Sequence, residues 1–279
     1  MKKRLTITDV TRMQEGRVCV AGYDQDGKCV RPVLPPPGIH ESSLYFQGHP
    51  IVFPFAVVEY DFQKQIPEPP HTEDWRYEPT SIQFIKRLDE KQKRKTLDES
   101  LSSDVSGIFR APIITDVGYY VMAGQGACSL GTIRIKQMIK AVYEHTPDRG
   151  WRYRLQFTDR GGDFYSLPVS DLAWRYYNDA QREAGLAPVE ISSTLTAKLR
   201  ASEIYLRVGL ARGWEEHADR CYLQITGVYT FPDYLEGRTF ADFKPKISRA
   251  TNDTISPHRI FGESPKSRYS MINIAFLEY

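Results

Sequence analysis

The sequence predicts a mainly β fold, a β-rich α+β arrangement in which small barrels are joined by a few helices. Strand-type runs are short and numerous, turn signals separate them, and aromatic residues are frequent. The 279 residues include 17 Tyr, 13 Phe and 4 Trp. Tyr favours strands because its flat, largely apolar ring fits a pleated and half-buried surface. Hydrophobic residues make up 41% and charged residues 26%, which is typical of a globular protein with a sizeable core.

The first strand signals lie in residues 4–34. Residues 5–10 and 17–22 are rich in β-branched side chains, and residues 28–33 follow a turn that contains Asp26-Gly27. Asp-Gly between two such runs predicts a hairpin, because Gly accepts a positive φ without steric cost. We expect a further strand over residues 51–62.

Helical spacing of apolar residues predicts a helix over residues 82–105. A second helix is expected over 170–185, followed by a connector over 186–198. A strand pair is expected over 202–231.

The clearest strand signal is the hairpin predicted over residues 151–169. Successive side chains of a strand point to opposite faces of the sheet. Trp151, Tyr153, Leu155 and Phe157 therefore share one face, whereas Arg152, Arg154 and Gln156 share the other. The second face could bind nucleic acid, or it could belong to an ordinary solvated sheet.

Charge and cysteine content limit the possible function classes. The chain has 37 basic and 35 acidic side chains, and its net charge of +2 argues against an indiscriminate polycation. A local basic groove would still suffice for nucleic-acid binding. Four widely separated cysteines indicate free thiols in a reducing cytoplasm. No apolar run approaches the roughly 20 residues that span a bilayer, so we expect a cytoplasmic protein without membrane association.

Catalytic and metal-binding patterns are weak. The six histidines are scattered without HExxH or HxH spacing, and no P-loop, GxSxG or dinucleotide glycine pattern occurs. We expect no cofactor, no metal and no catalytic residues. Dispersed carboxylates such as Glu59, Asp61 and Asp171 leave a cryptic nuclease as an alternative.

Basic and aromatic residues are the better candidates for a binding site. Arginine binds phosphate through two hydrogen bonds, and aromatic rings stack on unpaired bases. The predicted nucleic-acid-binding residues are Arg31, Arg152, Arg154, Arg207, Arg212 and Trp214.

Three groups of motifs carry a family resemblance. They are RVCVAG and KCVRP at residues 17–22 and 28–32, FTD and YSLPVSDL at 157–159 and 165–172, and YLRVGLAR and CYLQITGVYTFP at 205–212 and 221–232. In these motifs the chain resembles the bacterial dual OB-containing domain proteins over roughly residues 1–243. The resemblance implies two OB-like barrels, a nucleic-acid-binding role and an association with defence or mobile-element systems. It implies no particular catalytic residue and does not indicate which barrel face binds.

The expected organisation is a first OB-like barrel with a helical extension over residues 1–110 and a second OB-like barrel over 111–243. A basic loop and a C-terminal strand should occupy residues 244–279. The function we expect is non-catalytic binding of nucleic acid, with single strands favoured, as the recognition component of a larger complex with protein partners. The alternatives are a protein-interaction adaptor in such a complex, a β-barrel reader of a small molecule or modified base, and the cryptic nuclease.

Overall fold

The computed structural model describes residues 1–245, and the first part of the chain forms a closed barrel. Nine strands lie there: β1 (Lys2–Arg12), β2 (Arg17–Tyr23), β3 (Cys29–Val33), β4 (Ile39–His40), β5 (Tyr45–Phe46), β6 (His49–Pro50), β7 (Ala56–Gln65), β8 (Asp74–Tyr77) and β9 (Gln83–Arg87). The barrel follows the order β1–β2–β3–β8–β7, and β7 pairs back onto β1. The pairing of β3 with β8 is parallel, and the other pairings around the barrel are antiparallel.

Strand β1 closes the barrel because it pairs with two strands, β2 and β7. Its residues 2–6 pair with β7, its residues 6–12 pair with β2, and the register shifts between Ile7 and Asp9. The inward side chains form one apolar core that includes Leu5, Ile7, Val20, Val58 and Phe62.

The segment after the first barrel differs from the single helix expected over residues 82–105. Gln83–Arg87 is strand β9, which pairs with the free edge of β7, so the first part of the helix prediction is wrong. Apolar residues at 82 and 85 fit an edge strand as well as a helix, and the open backbone edge of β7 decides between them. Helix α1 (Glu90–Glu99) begins only after Asp89, whose side chain accepts the Gln92 N–H at 2.7 Å. The last part of the helix prediction is also wrong, because residues 100–105 lie beyond the end of α1.

The second barrel repeats the strand order of the first. After α1 the chain forms α2 (Ser106–Phe109), β10 (Ile114–Thr115), β11 (Tyr119–Met122), β12 (Leu130–Arg134), β13 (Gln137–Thr146), β14 (Gly150–Thr158), β15 (Phe164–Pro168), α3 (Leu172–Glu183), α4 (Pro188–Arg200), β16 (Glu203–Leu210) and β17 (Arg220–Phe231). Strands β12 and β13 together correspond to β1, since β12 pairs with β16 and β13 pairs with β14. Strand β15 pairs with β14 and meets β17 at the parallel bridge Val169–Ile225, and β17 pairs with β16.

The residues between β15 and β16 form two helices, where the sequence predicts one helix and a connector. The helix expected over 170–185 is confirmed as α3. The side chain of Asp171 caps it by accepting the N–H groups of Ala173 and Trp174. The connector expected over 186–198 is wrong, because α4 occupies it. Helix α4 docks on β13, whose Ala141 and Tyr143 N–H groups donate to hydroxyls of the helix.

The strand-rich fold with few helices and OB-like barrels is therefore confirmed. The domain boundaries at residues 110 and 243 stay a prediction. The predicted C-terminal strand lies outside the described residues. Among residues 1–245, no helix is both long and apolar enough to cross a bilayer.

Candidate nucleic-acid interface

The outward side of β13, β14 and β15 forms an open surface, which we call the second-barrel face. On β14, Tyr153, Leu155 and Phe157 are buried in the barrel, while Arg152 and Arg154 are partly exposed. The predicted assignment of the two strand faces is confirmed. The outward side chains of the face are Lys140, Val142, Glu144, Arg152, Arg154, Gln156, Phe164 and Ser166.

Two arginines at the centre of this face are held by neighbouring strands. Arg152 Nη1 donates to Glu144 Oε1 on β13 at 3.0 Å, and Arg154 donates to the hydroxyl and the carbonyl oxygen of Ser166 on β15. Arg152 Nε is buried and has no hydrogen-bond partner among the described residues. The guanidinium groups are thus positioned, and the bonds to Glu144 and Ser166 use only some of the five N–H donors that each arginine carries.

Basic side chains outnumber acidic ones on and beside this face, where Lys140, Arg149, Arg152 and Arg154 lie with Glu144 and Asp148. Burial, and then repulsion from Arg152 and Arg149, lowers the pKa of Arg154. Arg149 lies in the β13–β14 turn and pairs with its neighbour Asp148, at 3.4 Å. Guanidinium groups on one surface can bind phosphate through paired hydrogen bonds, so this face can accept a nucleic-acid backbone.

An exposed aromatic ring lies on the same face, two residues along β15 from Ser166. The side chain of Phe164 is 50% exposed at the start of β15, and its carbonyl oxygen accepts the hydroxyl of Tyr119 at 3.2 Å. An exposed ring beside phosphate-binding groups can stack on an unpaired base.

Arg207 lies in a different environment. Its side chain is fully buried, and Nε donates to both carboxylate oxygens of Asp9 at 3.2 and 3.0 Å. Nη1 donates to Tyr23 and to Thr132, and Thr226 donates to Asp9 at 2.5 Å. Asp9 and Tyr23 belong to the first barrel, and Arg207, Thr132 and Thr226 to the second. This ion pair therefore joins the two barrels.

Arg31 and Arg212 meet at a second point of the same contact. Arg31 Nε donates to Asp74 Oδ1 at 2.5 Å, and Arg212 pairs with Asp74 Oδ2 and, at 3.4 Å, with Glu68. Arg31 is buried, whereas the side chain of Arg212 is 49% exposed. Nearby, Ser129 of the second barrel donates its N–H to Glu73 at 2.6 Å.

His71 is buried beside these arginines, and neither of its ring nitrogens has a partner among the described residues. Burial, and then the guanidinium groups of Arg31 and Arg212, lowers the pKa of His71 to about 2. Burial also raises the pKa of the Cys29 thiol, which lies near Arg207, to about 12. Both groups are neutral at physiological pH, so neither offers a charged acid–base group or a thiolate nucleophile.

The structure thus places five of the six predicted residues in two groups, and Trp214 lies in neither. Arg152 and Arg154 lie together on the second-barrel face. Arg31, Arg207 and Arg212 converge on the contact between the barrels, where Arg31 and Arg207 are buried. The outward sides of their strands face the other barrel instead of water. Trp214, in the loop after β16, packs against Tyr222 at 5.1 Å and His217 at 5.3 Å.

Sequence reasoning did not identify the partners Asp9 and Asp74. The available signal was a charged residue inside a run that is otherwise apolar or β-branched, as at Asp9 in residues 5–10 and Arg207 in residues 204–210. Because a charge is buried only when it is paired, such positions indicate ion pairs.

Each of the three carboxylates considered for a nuclease bonds to a different partner. Glu59 pairs with Arg4, and Asp61 with the N-terminal amine. Asp171 caps α3 and also accepts the Val228 N–H. Within residues 1–245, no three His, Cys, Asp or Glu side chains are grouped as a metal site would require.

Comparison with known families agrees with the two-barrel topology. A family model described as the dual OB-containing domain matches residues 3–228. The chain belongs to the dual OB-containing domain family. No curated protein matches it significantly. The OB fold of this family is of a nucleic-acid-binding type, and such barrels bind oligonucleotides on the face of their second and third strands. In this dual OB-containing chain those strands are β2 and β3 in the first barrel and β14 and β15 in the second.

Proposed function

We propose that this protein binds nucleic acid, without catalysis, on the second-barrel face. The observation that carries the proposal is the position of Arg152 and Arg154 on the outward side of β14, with Arg149 in the turn before it, because the second strand of OB-like barrels contacts oligonucleotides. Arg152 and Arg154 would bind phosphates, and Phe164 would stack on an unpaired base. This arrangement favours single strands, whose bases are accessible.

The first barrel has a different role in this proposal. Its corresponding strands β2 and β3 contact the second barrel through Tyr23 and Cys29, which accept from Arg207, and Arg31 of β3 shares Asp74 with Arg212. We infer that the first barrel positions the second within a larger cytoplasmic complex of a bacterial defence or mobile-element system. The family membership supports this context.

The test is direct binding of the full chain to labelled single- and double-stranded DNA and RNA at several salt concentrations. Each neutralised phosphate releases counterions, so affinity should fall steeply as salt rises. We expect the highest affinity for single strands. An absence of salt-dependent affinity for every nucleic acid would contradict the proposal.

If the protein copurifies with a protein partner and shows no salt-dependent affinity for nucleic acid, the adaptor alternative is favoured. The partner's affinity should then be insensitive to Arg152 and Arg154.

A further inference from the structure

A cleft of about 640 Å³ lies between the two barrels, where the start of α1 approaches the end of β17. Phe55, Arg87 and Lys93 line it from the first part of the chain, and Phe231, Asp233 and Tyr234 line it from the second. None of its residues belongs to the second-barrel face. Its volume is within the range of roughly 300–1,000 Å³ that is usual for small-molecule sites.

The cleft contains cations with unused hydrogen-bond donors. The side chain of Lys93 is 14% exposed, and its Nζ lies 3.8 Å from Asp233 Oδ2, which is beyond hydrogen-bond range. That oxygen already accepts the Gly237 N–H at 3.0 Å. Arg87 donates from Nη2 to the Gly237 carbonyl at 2.6 Å. An ammonium group carries three donors, and a partly buried one is stabilised by an anionic partner.

The carboxylates around the cleft are largely engaged. Asp89 caps α1, Asp171 caps α3, and Asp233 accepts two N–H groups of the following turn. Glu236 pairs with Lys198 at 3.2 Å. Glu90 is exposed in the first turn of α1. Lys93 and Arg87 therefore keep N–H donors that these carboxylates do not use.

The aromatic wall shows backbone strain and an unpaired hydroxyl. Phe55 has a φ of 66°, a left-handed conformation that is costly for a bulky side chain, and its ring lies 4.6 Å from that of Tyr229. Glu236, at the cleft, has a φ of 55°. Such strain often accompanies ligand sites. The hydroxyl of Tyr234 is buried without a partner among the described residues.

We propose that this cleft binds a nucleoside monophosphate unit, with its phosphate at Lys93 and Arg87 and its base against Phe55, Tyr229 and Phe231. The Tyr234 hydroxyl would bond to the ligand. A free mononucleotide and the 5′-phosphorylated end of a strand offer the same chemistry. The inference is independent of nucleic-acid binding by the second-barrel face.

Isothermal titration of the full chain with adenosine monophosphate, uridine monophosphate, adenosine and inorganic phosphate tests the site. We expect both monophosphates to bind at least tenfold more tightly than adenosine or phosphate alone. Lys93→Gln should weaken monophosphate binding at least tenfold. Lys91→Gln, which removes the same charge from an exposed position of α1, should leave it unchanged. No monophosphate binding at millimolar concentration, or equal effects of the two variants, would overturn the proposal.

Tyr234→Phe is a variant that should fold, because it removes only a buried hydroxyl without a partner. Monophosphate affinity should fall several-fold, whereas an unchanged affinity would overturn the assigned contact.

Competition by a 5′-phosphorylated oligonucleotide, but not by its unphosphorylated form, would support the strand end as the source. An absence of competition alongside monophosphate binding would support the free nucleotide. The double variant Arg152→Ala/Arg154→Ala should bind monophosphates as tightly as the unchanged protein. If the double variant loses monophosphate affinity, the ligand binds on the second-barrel face and the cleft assignment is overturned.

Discussion

The two barrels share one strand order but present their second and third strands to different surroundings. In the first barrel, the outward side chains of Tyr23, Cys29 and Arg31 lie against or beside the second barrel. In the second barrel, the equivalent side carries Arg152 and Arg154, which are partly exposed. The same position in the fold therefore serves assembly in one barrel and is open to a ligand in the other.

This difference shows that an outward-facing arginine is not necessarily exposed when a chain contains two barrels. Arg207 is fully buried but bonded to a carboxylate, a phenol and a hydroxyl. Removing one partner of such a pair is far more destabilising than the pair itself is stabilising, since the remaining charge stays buried. The ion pair thus favours one arrangement of the barrels.

The largest effect should follow from Asp9→Ala. The substitution leaves Arg207 buried without its carboxylate, and we expect a loss of about 3–5 kcal/mol in the free energy of unfolding. Urea denaturation measures it. Arg4→Ala breaks an exposed ion pair with Glu59 and should lower that free energy by no more than about 1 kcal/mol. If Asp9→Ala is as mild as Arg4→Ala, the ion pair does not hold the barrels together.

The second prediction concerns the pH dependence of stability at the same contact. The pKa of His71 is lowered to about 2 in the folded protein, against roughly 6.5 when unfolded. The neutral form therefore stabilises the fold above about pH 6.5, and this contribution is lost as pH falls toward 2. Between these values the unfolded state binds one more proton, so the loss is up to about 1.4 kcal/mol per pH unit.

His71→Leu should remove this part of the pH dependence. Urea denaturation between pH 4 and 7 for both proteins isolates it, because other titrating groups contribute to both curves. Parallel curves would contradict the burial of a neutral histidine beside Arg31 and Arg212.

Much of the strand pattern was predictable from local sequence, whereas the contact between the barrels was not. Alternation along β14 correctly assigned Tyr153 and Arg152 to opposite faces, because a strand fixes the direction of each side chain. The burial of Arg31 and Arg207 depends on Asp74 and Asp9, which lie 43 and 198 residues away in the chain. Local periodicity contains no information on such partners.

The errors in the helices have a similar origin. Residues 83–87 form β9 because β7 offers a free edge, although their apolar spacing also fits a helix. Residues 188–200, most of which were expected to be a connector, form α4, and its Ser192 and Thr196 accept backbone N–H groups of β13. In both cases a distant strand determines the local structure.

The third prediction compares exposed rings in the two parts of the chain. Phe164→Ala should weaken binding of single strands by about 1–3 kcal/mol for each stacked base, and binding of duplexes much less. Phe46, which is 62% exposed in the first part of the chain, provides the matched control. Phe46→Ala should not change either affinity, as measured by fluorescence anisotropy. Equal losses for both variants would argue against stacking on the second-barrel face.

The most direct test of the open second-barrel face is the salt dependence of single-strand binding after equal charge removal from each barrel. Arg152→Ala/Arg154→Ala and Lys2→Ala/Arg4→Ala each remove two positive charges, and Lys2 and Arg4 lie on the exposed part of β1 beside Glu59. We expect the first variant to reduce the slope of log affinity against log salt by roughly one to two units. The second variant should leave the slope unchanged. A slope that is unaffected by the Arg152 and Arg154 substitutions, or reduced equally by those at Lys2 and Arg4, would contradict nucleic-acid binding on the second-barrel face.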